Sequence, residues 1–198
     1  MQIDTDHLHY WMQAIRQSAD PMRTLDAFWS GQIRSKEWLI DNLKDYATEP
    51  ATIAIFGGWV GTLASMLFQS AIPVKSIISI DIDPECKPVA DMMNKAEEIS
   101  GKFTAVTADM CHVSVAADIV INTSCEHLTQ EQYVTWLAKV NTNSLVVLQS
   151  NNYTINEHVR TADSLDKFIE QSNINVMFAD QYDLPQYTRY MIIGNRRV

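Results

Sequence analysis

The stretch TIAIFGGWVGTLASMLF, residues 52–68, predicts a buried strand, a tight glycine turn and an apolar helix in immediate succession. The strand is continuously apolar, which is typical of a parallel sheet covered by helices on both faces. After the turn, Leu63, Met66 and Leu67 recur at helical spacing. Dinucleotide-binding turns follow the pattern G-x-G-x-x-G, and Trp59 stands where the glycine that admits a pyrophosphate is needed. The turn therefore argues against a dinucleotide, and the strands that follow it indicate what it could bind instead.

Apolar strands and helix-length segments alternate from residue 51 onward. The predicted strands are residues 51–56, 75–81, 103–109, 117–124, 144–150, 174–180 and 187–194. The predicted helices are residues 60–70, a helix from the N-cap and first-turn proline Asp83-Pro84 to about residue 98, one opening at a capping box of Thr129 and Gln132, and residues 162–172. The last two strands are joined only by QYDLPQ, which predicts an antiparallel hairpin. The pattern predicts an α/β fold, a doubly wound, mostly parallel seven-stranded sheet with a C-terminal antiparallel hairpin.

Residues 1–50 have a different pattern, helical and polar at intervals. Asp20-Pro21 marks one break, and SGQIRS, residues 30–35, marks another. We expect two or three helices here, forming an N-terminal helical extension that lies as a lid against the domain of residues 51–198.

The composition limits the classes of partner. The 198 residues carry a formal net charge of −9, which disfavours a nucleic-acid partner because such binding rests on neutralising phosphates. No apolar run approaches the roughly 20 residues that cross a bilayer, and the N-terminal MQIDTDHLHYW lacks the cationic and apolar regions of a secretory signal. The three cysteines are an odd set without paired metal-type spacing. We therefore expect a cytoplasmic protein with free thiols, no metal site, no membrane association, and a small-molecule or protein partner.

Polar residues follow the predicted strands at the sheet edge where ligands bind in such folds. Asp81 ends the second strand, where a carboxylate can accept hydrogen bonds from both hydroxyls of a ribose. Asp109 could accept from an adenine amine, with Met110 packed on the ring; a solvated turn aspartate is the alternative. Asp83, directly before Pro84, is better explained as a helix N-cap. These positions indicate an adenosine ligand without a phosphate anchor.

Four motifs carry a family resemblance, in order: IFGGWVG, SIDIDP, TADM and ADIVINTSCEHL. With the closing hairpin, residues 51–194 resemble the class I S-adenosylmethionine-dependent methyltransferases, which have a Rossmann-like domain. The resemblance implies S-adenosyl-L-methionine as cofactor and methyl transfer to a small-molecule or protein acceptor, at oxygen or nitrogen. The cofactor-binding residues that it implies are Phe56, Gly57, Gly58, Trp59, Gly61, Asp81, Ile82, Asp109, Met110 and Asn122.

Two positions depart from the family's pattern. Ile55 stands where the family usually has an acid, and Trp59 replaces its middle glycine. The methionine ammonium would then be held by other groups, such as backbone carbonyls near Phe56 and Gly57 or the side chain of Asn122. Trp59 could face the sulfonium, where a cation–π contact contributes about 0.5–2 kcal/mol, or it could pack against the N-terminal helices.

The acceptor side has candidates of its own. His127, and less so Glu126, could act as the base that takes an acceptor proton. Asn151, Asn152 and Tyr153 follow the fifth strand and could orient a polar acceptor, although asparagines also favour turns. From the N-terminal region, the side chains that could reach the methionine carboxylate are Arg34, Ser35 and Lys36. His112 and His158 stand isolated in the sequence and are interpreted as surface or structural residues.

Two other interpretations remain. A non-catalytic protein of the same fold, binding the nucleoside or a partner through the altered turn, would explain Ile55 and Trp59. A nicotinamide-dependent reductase is disfavoured by Trp59 and by the closing hairpin. The sequence leaves the acceptor and the oligomeric state open.

Overall fold

The computed structural model describes residues 5–197, so residues 1–4 of the predicted N-terminal extension lie outside it. The helices are α1 (Thr5–Gln17), α2 (Pro21–Asp26), α3 (Ser30–Leu43), α4 (Thr62–Phe68), α5 (Cys86–Met93), α6 (Lys95–Ile99), α7 (Gln130–Leu137) and α8 (Leu165–Ser172). The strands are β1 (Ala51–Phe56), β2 (Val74–Asp81), β3 (Phe103–Thr107), β4 (Ile119–Asn122), β5 (Leu145–Asn151), β6 (Ile174–Asp183) and β7 (Thr188–Arg196). Single 3₁₀ turns at Met110–His112 and Cys125–His127 follow β3 and β4.

The seven strands form one sheet in the order β3-β2-β1-β4-β5-β7-β6. The pairs among β1 to β5 are parallel, whereas β7 is antiparallel to both β5 and β6. The chain leaves β1 in one direction for β2 and returns to its other side for β4, which makes the gap between β1 and β4 the topological switch point. The predicted doubly wound sheet and its closing antiparallel hairpin are confirmed.

Apolar side chains alternate between the two faces of the sheet and build two cores. Ile53 and Ile55 of β1 join the core beneath α3 and α4, with Leu39 and Leu67. Phe56 and the other strand residues of opposite parity join the core beneath α7 and α8, where Trp136, Tyr133 and Phe168 are fully buried. The strand predictions are confirmed because strands that are buried on both sides read as continuous apolar runs.

The three N-terminal helices pack against the sheet domain. Helix α1 lies on α5, and Trp11 donates a hydrogen bond from Nε1 to Ser65 Oγ of α4 at 2.9 Å. Ser35 of α3 donates to Gln149 Oε1 of β5, at 3.1 Å. The described helices of this segment are therefore joined to the sheet domain by helix packing and by buried hydrogen bonds.

The predicted break at residues 30–35 is wrong, because α3 begins at Ser30 and runs through the whole segment. Gly31 leaves room for the Trp29 ring, because a Cβ on this residue would lie 2.6 Å from the nearest ring atom. A glycine in the first turn of a helix is compatible with the helix when a neighbouring ring needs the room.

The predicted helix from Asp83 to about residue 98 is also corrected. Asp83 Oδ1 accepts from the Glu85 amide and so caps a turn, and α5 begins only at Cys86. The helix is interrupted at Asn94, whose side-chain amide donates to the carbonyls of Gly61 and Ala90. The capping box of Thr129 and Gln132, in contrast, is present with both of its hydrogen bonds.

Among residues 5–197, no helix is both long and apolar enough to cross a bilayer. Cys86, Cys111 and Cys125 are free thiols. Burial raises the pKa of both Cys86 and Cys125 to about 12, so these two thiols stay protonated.

Candidate functional site

Parallel registers bring the ends of the central strands to one edge of the sheet. Phe56, at the end of β1, is level with Ile80 in β2 and with Asn122 in β4. Asp81 is the next residue of β2 and pairs with Thr107 of β3. The predicted site residues after these three strands therefore lie along the same edge.

The glycine turn between β1 and α4 uses a left-handed backbone at three positions, with φ +65° at Gly57, +48° at Trp59 and +81° at Gly61. The Gly58 amide donates to the Ile80 carbonyl at 3.0 Å, which places the turn directly against β2. A Cβ on Gly58 would overlap the Ser79 hydroxyl. The glycines here are needed for backbone conformation and for close approach, and a left-handed tryptophan costs of order 1 kcal/mol that its surroundings must offset.

Trp59 lies among side chains of the N-terminal helices and of α5. It packs, with Trp11, Phe28 and Met92, against a small core that includes Val60. Of the two alternatives left open by the sequence, packing against the N-terminal helices is the one that the geometry supports. The side chain thereby fastens the turn to α1 and the adjoining segment.

Asp81 holds the turn from the β2 side. Its Oδ2 accepts from the Trp59 amide at 2.8 Å, and its Oδ1 accepts from the Asp83 amide at 3.0 Å. Each carboxylate oxygen has two lone-pair positions, so one remains on each for a ligand hydroxyl. Asp83 itself pairs with Arg23 of α2 at 2.6 Å, and its pKa is lowered first by the Glu85 amide. The ion pair connects the N-terminal helices to this edge.

Two further residues that the sequence assigned to the cofactor, Ile82 and Asp109, follow the ends of β2 and β3. Ile82 is 68% exposed, which is high for a branched apolar side chain next to a buried strand. Asp109 accepts from the Cys111 amide at 2.8 Å and contacts His112 Nδ1 at 3.0 Å. Both contacts lower the Asp109 pKa, the amide more than the imidazole.

Asn122 and Met110 lie together beside the glycine turn. Asn122 is fully buried; its Oδ1 accepts from the Ser124 amide at 2.9 Å, and its Nδ2 is 3.6 Å from Met110 Sδ. Ser124 Oγ donates to the Gly57 carbonyl at 3.4 Å. The polar atoms of Asn122 are thus engaged locally, while the carbonyl of Phe56 lies at the same level of the sheet edge.

A buried ion pair lies on the other side of the switch point. Glu126 Oε1 accepts from Arg189 Nη1 at 2.7 Å and from Asn151 Nδ2 at 2.6 Å, and both charged side chains are almost fully buried. Arg189 Nη2 also donates to the Thr123 carbonyl. Breaking such a pair by removing one partner costs about 3–5 kcal/mol. Glu126 therefore fastens β5 and β7 to the loop after β4.

A row of aromatic rings borders this ion pair. His127 and His158 meet edge to face with their centroids 4.7 Å apart. The ring centroid of Tyr153 is 6.2 Å from that of His158 and 5.8 Å from that of Tyr187. The Tyr187 centroid is in turn 6.4 Å from that of Trp29 in the N-terminal segment. His158 stands isolated in the sequence, and the fold places its ring against that of His127.

Of the three N-terminal candidates, Lys36 is the cation that the fold buries. Arg34 is exposed, and Ser35 is bound to Gln149 of the sheet. The Lys36 ammonium donates to Gln32 Oε1 at 2.9 Å. Burial, with a smaller contribution from the Arg189 charge, lowers its pKa to about 7.

No protein-family model matches this chain, and no curated protein matches it either. Solved structures match it in fold. The magnesium protoporphyrin IX methyltransferase ChlM of Synechocystis PCC 6803, with bound SAH, has a TM-score of 0.65 at 14% identity, over 96% of this chain and 94% of that one. The N-methyltransferase NodS of Bradyrhizobium japonicum WM9 has a TM-score of 0.64 at 13% identity, over 84% of this chain and 97% of that one. The ribosomal protein L11 methylase of Lactobacillus delbrueckii subsp. bulgaricus has a TM-score of 0.59 at 13% identity, over 83% of this chain and 78% of that one.

The chain has the fold of the class I S-adenosylmethionine-dependent methyltransferases. The residues that the sequence predicts to bind a cofactor lie at or after the ends of β1, β2, β3 and β4, along the sheet edge that includes the switch point. Sequence reasoning did not identify Arg189, which pairs with Glu126, or Tyr187, which lies beside Tyr153. It interpreted His158 as a surface or structural residue. The register of β7 against β5 was the available signal, since a closing hairpin places Arg189 opposite Asn151.

Proposed function

We propose that the protein is an S-adenosylmethionine-dependent methyltransferase that acts on a small-molecule or protein acceptor. The observation that carries the proposal is the glycine turn held against Asp81 at the switch point, with the Trp59 amide bonded to the carboxylate. In this arrangement the carboxylate is fixed in place and keeps a lone pair on each oxygen for a ribose diol. Trp59 stands where a dinucleotide turn needs a glycine, which disfavours a pyrophosphate.

For the adenosine end, we assign the ribose to Asp81 and the adenine to the surface of Ile82 and Met110. The exposed Ile82 side chain would be covered by the ring, which would remove apolar area from water at about 25 cal/mol per Å². Asp109 keeps a lone pair for the adenine amine, since it already accepts only two hydrogen bonds.

For the methionine end, we assign the ammonium to the backbone carbonyl of Phe56, because the side chain of Asn122 and the carbonyl of Gly57 already have hydrogen-bond partners. We assign the carboxylate to Lys36, a buried ammonium whose desolvation cost an anion would offset. Ile55 is in the core below α3 and α4 and supplies nothing to the ligand.

Methyl transfer from a sulfonium is an in-line displacement, so much of the acceleration comes from holding donor and acceptor in line. Of the two predicted catalytic residues, His127 has a ring at the surface beside the aromatic row, whereas Glu126 is bonded to Arg189 and Asn151. We therefore place the acceptor at His127, with Tyr153 and Tyr187 orienting it, and assign Glu126, Asn151 and Asn152 to positioning.

Binding of the cofactor product is the first test. Calorimetry with S-adenosylhomocysteine should show binding that weakens about 10- to 100-fold in Asp81→Asn, the loss expected for hydrogen bonds to a charged group. The amide side chain of this variant would keep one oxygen for the Trp59 amide. Asp91→Asn is the matched control, because Asp91 pairs with Lys87 on the outer surface of α5 and its loss should leave the affinity unchanged. A wild-type protein that binds neither S-adenosylhomocysteine nor S-adenosylmethionine would contradict the proposal.

A second candidate is a non-catalytic nucleoside-binding protein of the same fold. Trp59 favours it, because the side chain ties the cofactor turn to the N-terminal helices in place of the usual glycine. Incubation with methyl-labelled cofactor and a panel of small-molecule and protein acceptors separates the two. A single labelled product establishes the enzyme, whereas binding without any product supports the non-catalytic protein.

A further inference from the structure

We propose that Glu126, His127 and His158 form a binding site for a divalent transition-metal ion, with Zn²⁺ as its representative. One ligand atom from each of the three lies within 4.8 Å of one from each of the others. This inference goes beyond the proposed methyl transfer, which requires no ion, and it revises the sequence-based expectation of no metal site.

The hydrogen bonds of the two imidazoles prepare them for an ion. His127 Nδ1 is 3.1 Å from the Glu157 carbonyl oxygen, and His158 Nδ1 is 2.6 Å from the Tyr153 carbonyl oxygen. A carbonyl oxygen only accepts, so both Nδ1 atoms must carry the ring proton. In a neutral imidazole the other nitrogen then has a free lone pair. Metal-bound histidines characteristically donate the second ring N–H to a carbonyl or a carboxylate, as both of these do.

The two oxygens of the Glu126 carboxylate also differ, because one has hydrogen-bond partners and the other has none among the described residues. Its Oε1 is occupied by Arg189 and Asn151, whereas its Oε2 is buried without a hydrogen-bond partner among the described residues. A buried carboxylate oxygen left without a partner has lost its water without gaining a hydrogen bond, which destabilises the folded protein. An ion bound to Oε2 would satisfy that atom without disturbing the ion pair on Oε1.

The backbone holds the three ligands close to each other, although His158 comes from a different loop from Glu126 and His127. The amides of Val159 and Arg160 both donate to the Glu126 carbonyl, at 2.9 and 3.0 Å. Arg160 extends across Tyr133, with its guanidinium 3.9 Å from the ring centroid, and bonds to Gln130 Oε1 at 2.6 Å. The loop that carries His158 is thereby anchored to the turn that carries Glu126 and His127.

Two imidazoles and one carboxylate suit Zn²⁺ and related first-row ions, whereas Mg²⁺ and Ca²⁺ take oxygen ligands. A tetrahedral ion at about 2.0–2.1 Å from each ligand would draw ligand atoms that are 4.8 Å apart together by roughly 1.5 Å. Three protein ligands leave a fourth position open. An ion held by these residues would supply a lowered pKa to a hydroxyl group bound in that position.

The test measures ion binding without cofactor or acceptor. Protein prepared without a histidine tag and treated with a chelator is titrated with Zn²⁺ in competition with a chromophoric chelator. We expect one equivalent to bind, with Mg²⁺ and Ca²⁺ unable to displace it. Loss of a group that only hydrogen-bonds to a metal ligand lowers metal affinity about 10- to 100-fold, so loss of a ligand itself, in His127→Ala or His158→Ala, should lower it by at least about 100-fold. Both rings lie at or near the surface, and urea unfolding confirms that the variants are folded.

The chain supplies a matched control in His112→Ala. His112 lies beside Asp109 and next to Cys111, which makes this 3₁₀ turn the natural competing site for a soft ion. The affinity for Zn²⁺ should be unchanged in this variant. Co²⁺ should give visible bands of a nitrogen–oxygen site, without the charge-transfer absorption that a thiolate ligand adds.

Absence of Zn²⁺ binding by the wild-type protein would overturn the inference, as would binding that survives His127→Ala together with His158→Ala. Binding that is lost only in His112→Ala would overturn it too. The result is distinguishable from a failure of the proposed function, because a protein that binds Zn²⁺ and no S-adenosylhomocysteine retains this site and loses the methyltransferase assignment.

Discussion

Lys36 illustrates how a single residue acquires its properties from burial. In the chain it stands between Arg34 and Glu37 on an ordinary polar helix face, and the fold turns it into the interior of the N-terminal segment. Among the described residues its hydrogen-bond partners are Gln32 Oε1 and the Gln32 carbonyl, and neither carries a charge. The ammonium is therefore unstable where it lies until an anion arrives, which is the property that we assign to it in the proposed site.

We predict that Lys36→Met stabilises the protein and that the gain shrinks as the pH rises. The pKa of Lys36 is about 7 in the folded protein and near 10.4 in the unfolded chain, so between these values the unfolded state binds more protons. The stability of the wild type thus rises with pH in this window, by up to about 1.4 kcal/mol per pH unit, and the methionine variant lacks that contribution. Urea unfolding of both proteins at about pH 7, 8 and 9 measures the difference.

Lys44→Met is the control for this prediction. Lys44 follows α3, is half exposed and pairs with Asp41 at the surface, so its replacement should change stability by a small amount that does not depend on pH in this range. A difference between wild type and Lys36→Met that stays constant from about pH 7 to 9 would contradict the assignment of a buried, weakly basic ammonium.

At the scale of elements, the junction of the glycine turn with α5 decides how closely the turn approaches the sheet edge. Asn94 ends α5 and donates to the Gly61 carbonyl at 3.1 Å and to the Ala90 carbonyl at 3.0 Å. The residue at this unpredicted break therefore has a structural role, because its side chain joins α5 to the glycine turn.

We predict that Gly61→Ala destabilises the protein by clearly more than Gly101→Ala. Both glycines have positive φ, +81° and +73°, so both substitutions cost about 1 kcal/mol of backbone strain. A Cβ on Gly61 would also lie 3.1 Å from the Ala90 Cα and 2.7 Å from Asn94 Nδ2, whereas nothing described lies within 4 Å of one on Gly101. Overpacking adds about 1–3 kcal/mol at Gly61 only. Urea unfolding midpoints measure both costs, and equal costs would show that the α4–α5 junction is looser than described.

At the scale of the whole molecule, charge and fold restrict the acceptor in different ways. The relatives in fold include enzymes named for a porphyrin and for a ribosomal protein, so the sheet alone does not select an acceptor. A formal net charge of −9 selects more strongly, since it opposes the approach of any polyanion. If the proposed methyl transfer holds, this field favours a neutral or cationic acceptor over a polyanion.

We predict no saturable binding of nucleic acid. Fluorescence anisotropy with labelled single-stranded RNA and duplex DNA at about 150 mM salt should show no binding below about 0.1 mM protein, the weak end of general nucleic-acid binders. Lowering the salt should not produce it, because counterion release contributes only where phosphates are neutralised. Micromolar binding that weakens steeply with salt would reveal a basic surface that the overall charge hides.

The sequence by itself determined the sheet, the closing hairpin and the sheet edge at which we propose that the cofactor binds. Continuous apolar strands, long crossovers and one short link leave few topologies, and the ends of parallel strands meet at one edge whatever the loops do. Asp81 could therefore be placed from its position after β2 alone. The adenine-side assignments of Asp109 and Met110 stay predictions of the same kind.

Only the tertiary structure brings together the residues around Glu126 and His127, where we propose that the acceptor binds. Glu126 and Arg189 are far apart in the chain, and their ion pair exists because β7 returns antiparallel to β5. His158 meets His127 because a loop is pinned to the turn after β4, and Lys36 loses its water because α3 packs on the sheet domain. Local patterns specify elements, whereas burial, charge pairing and ring contacts depend on residues that adjoin only after those elements have packed.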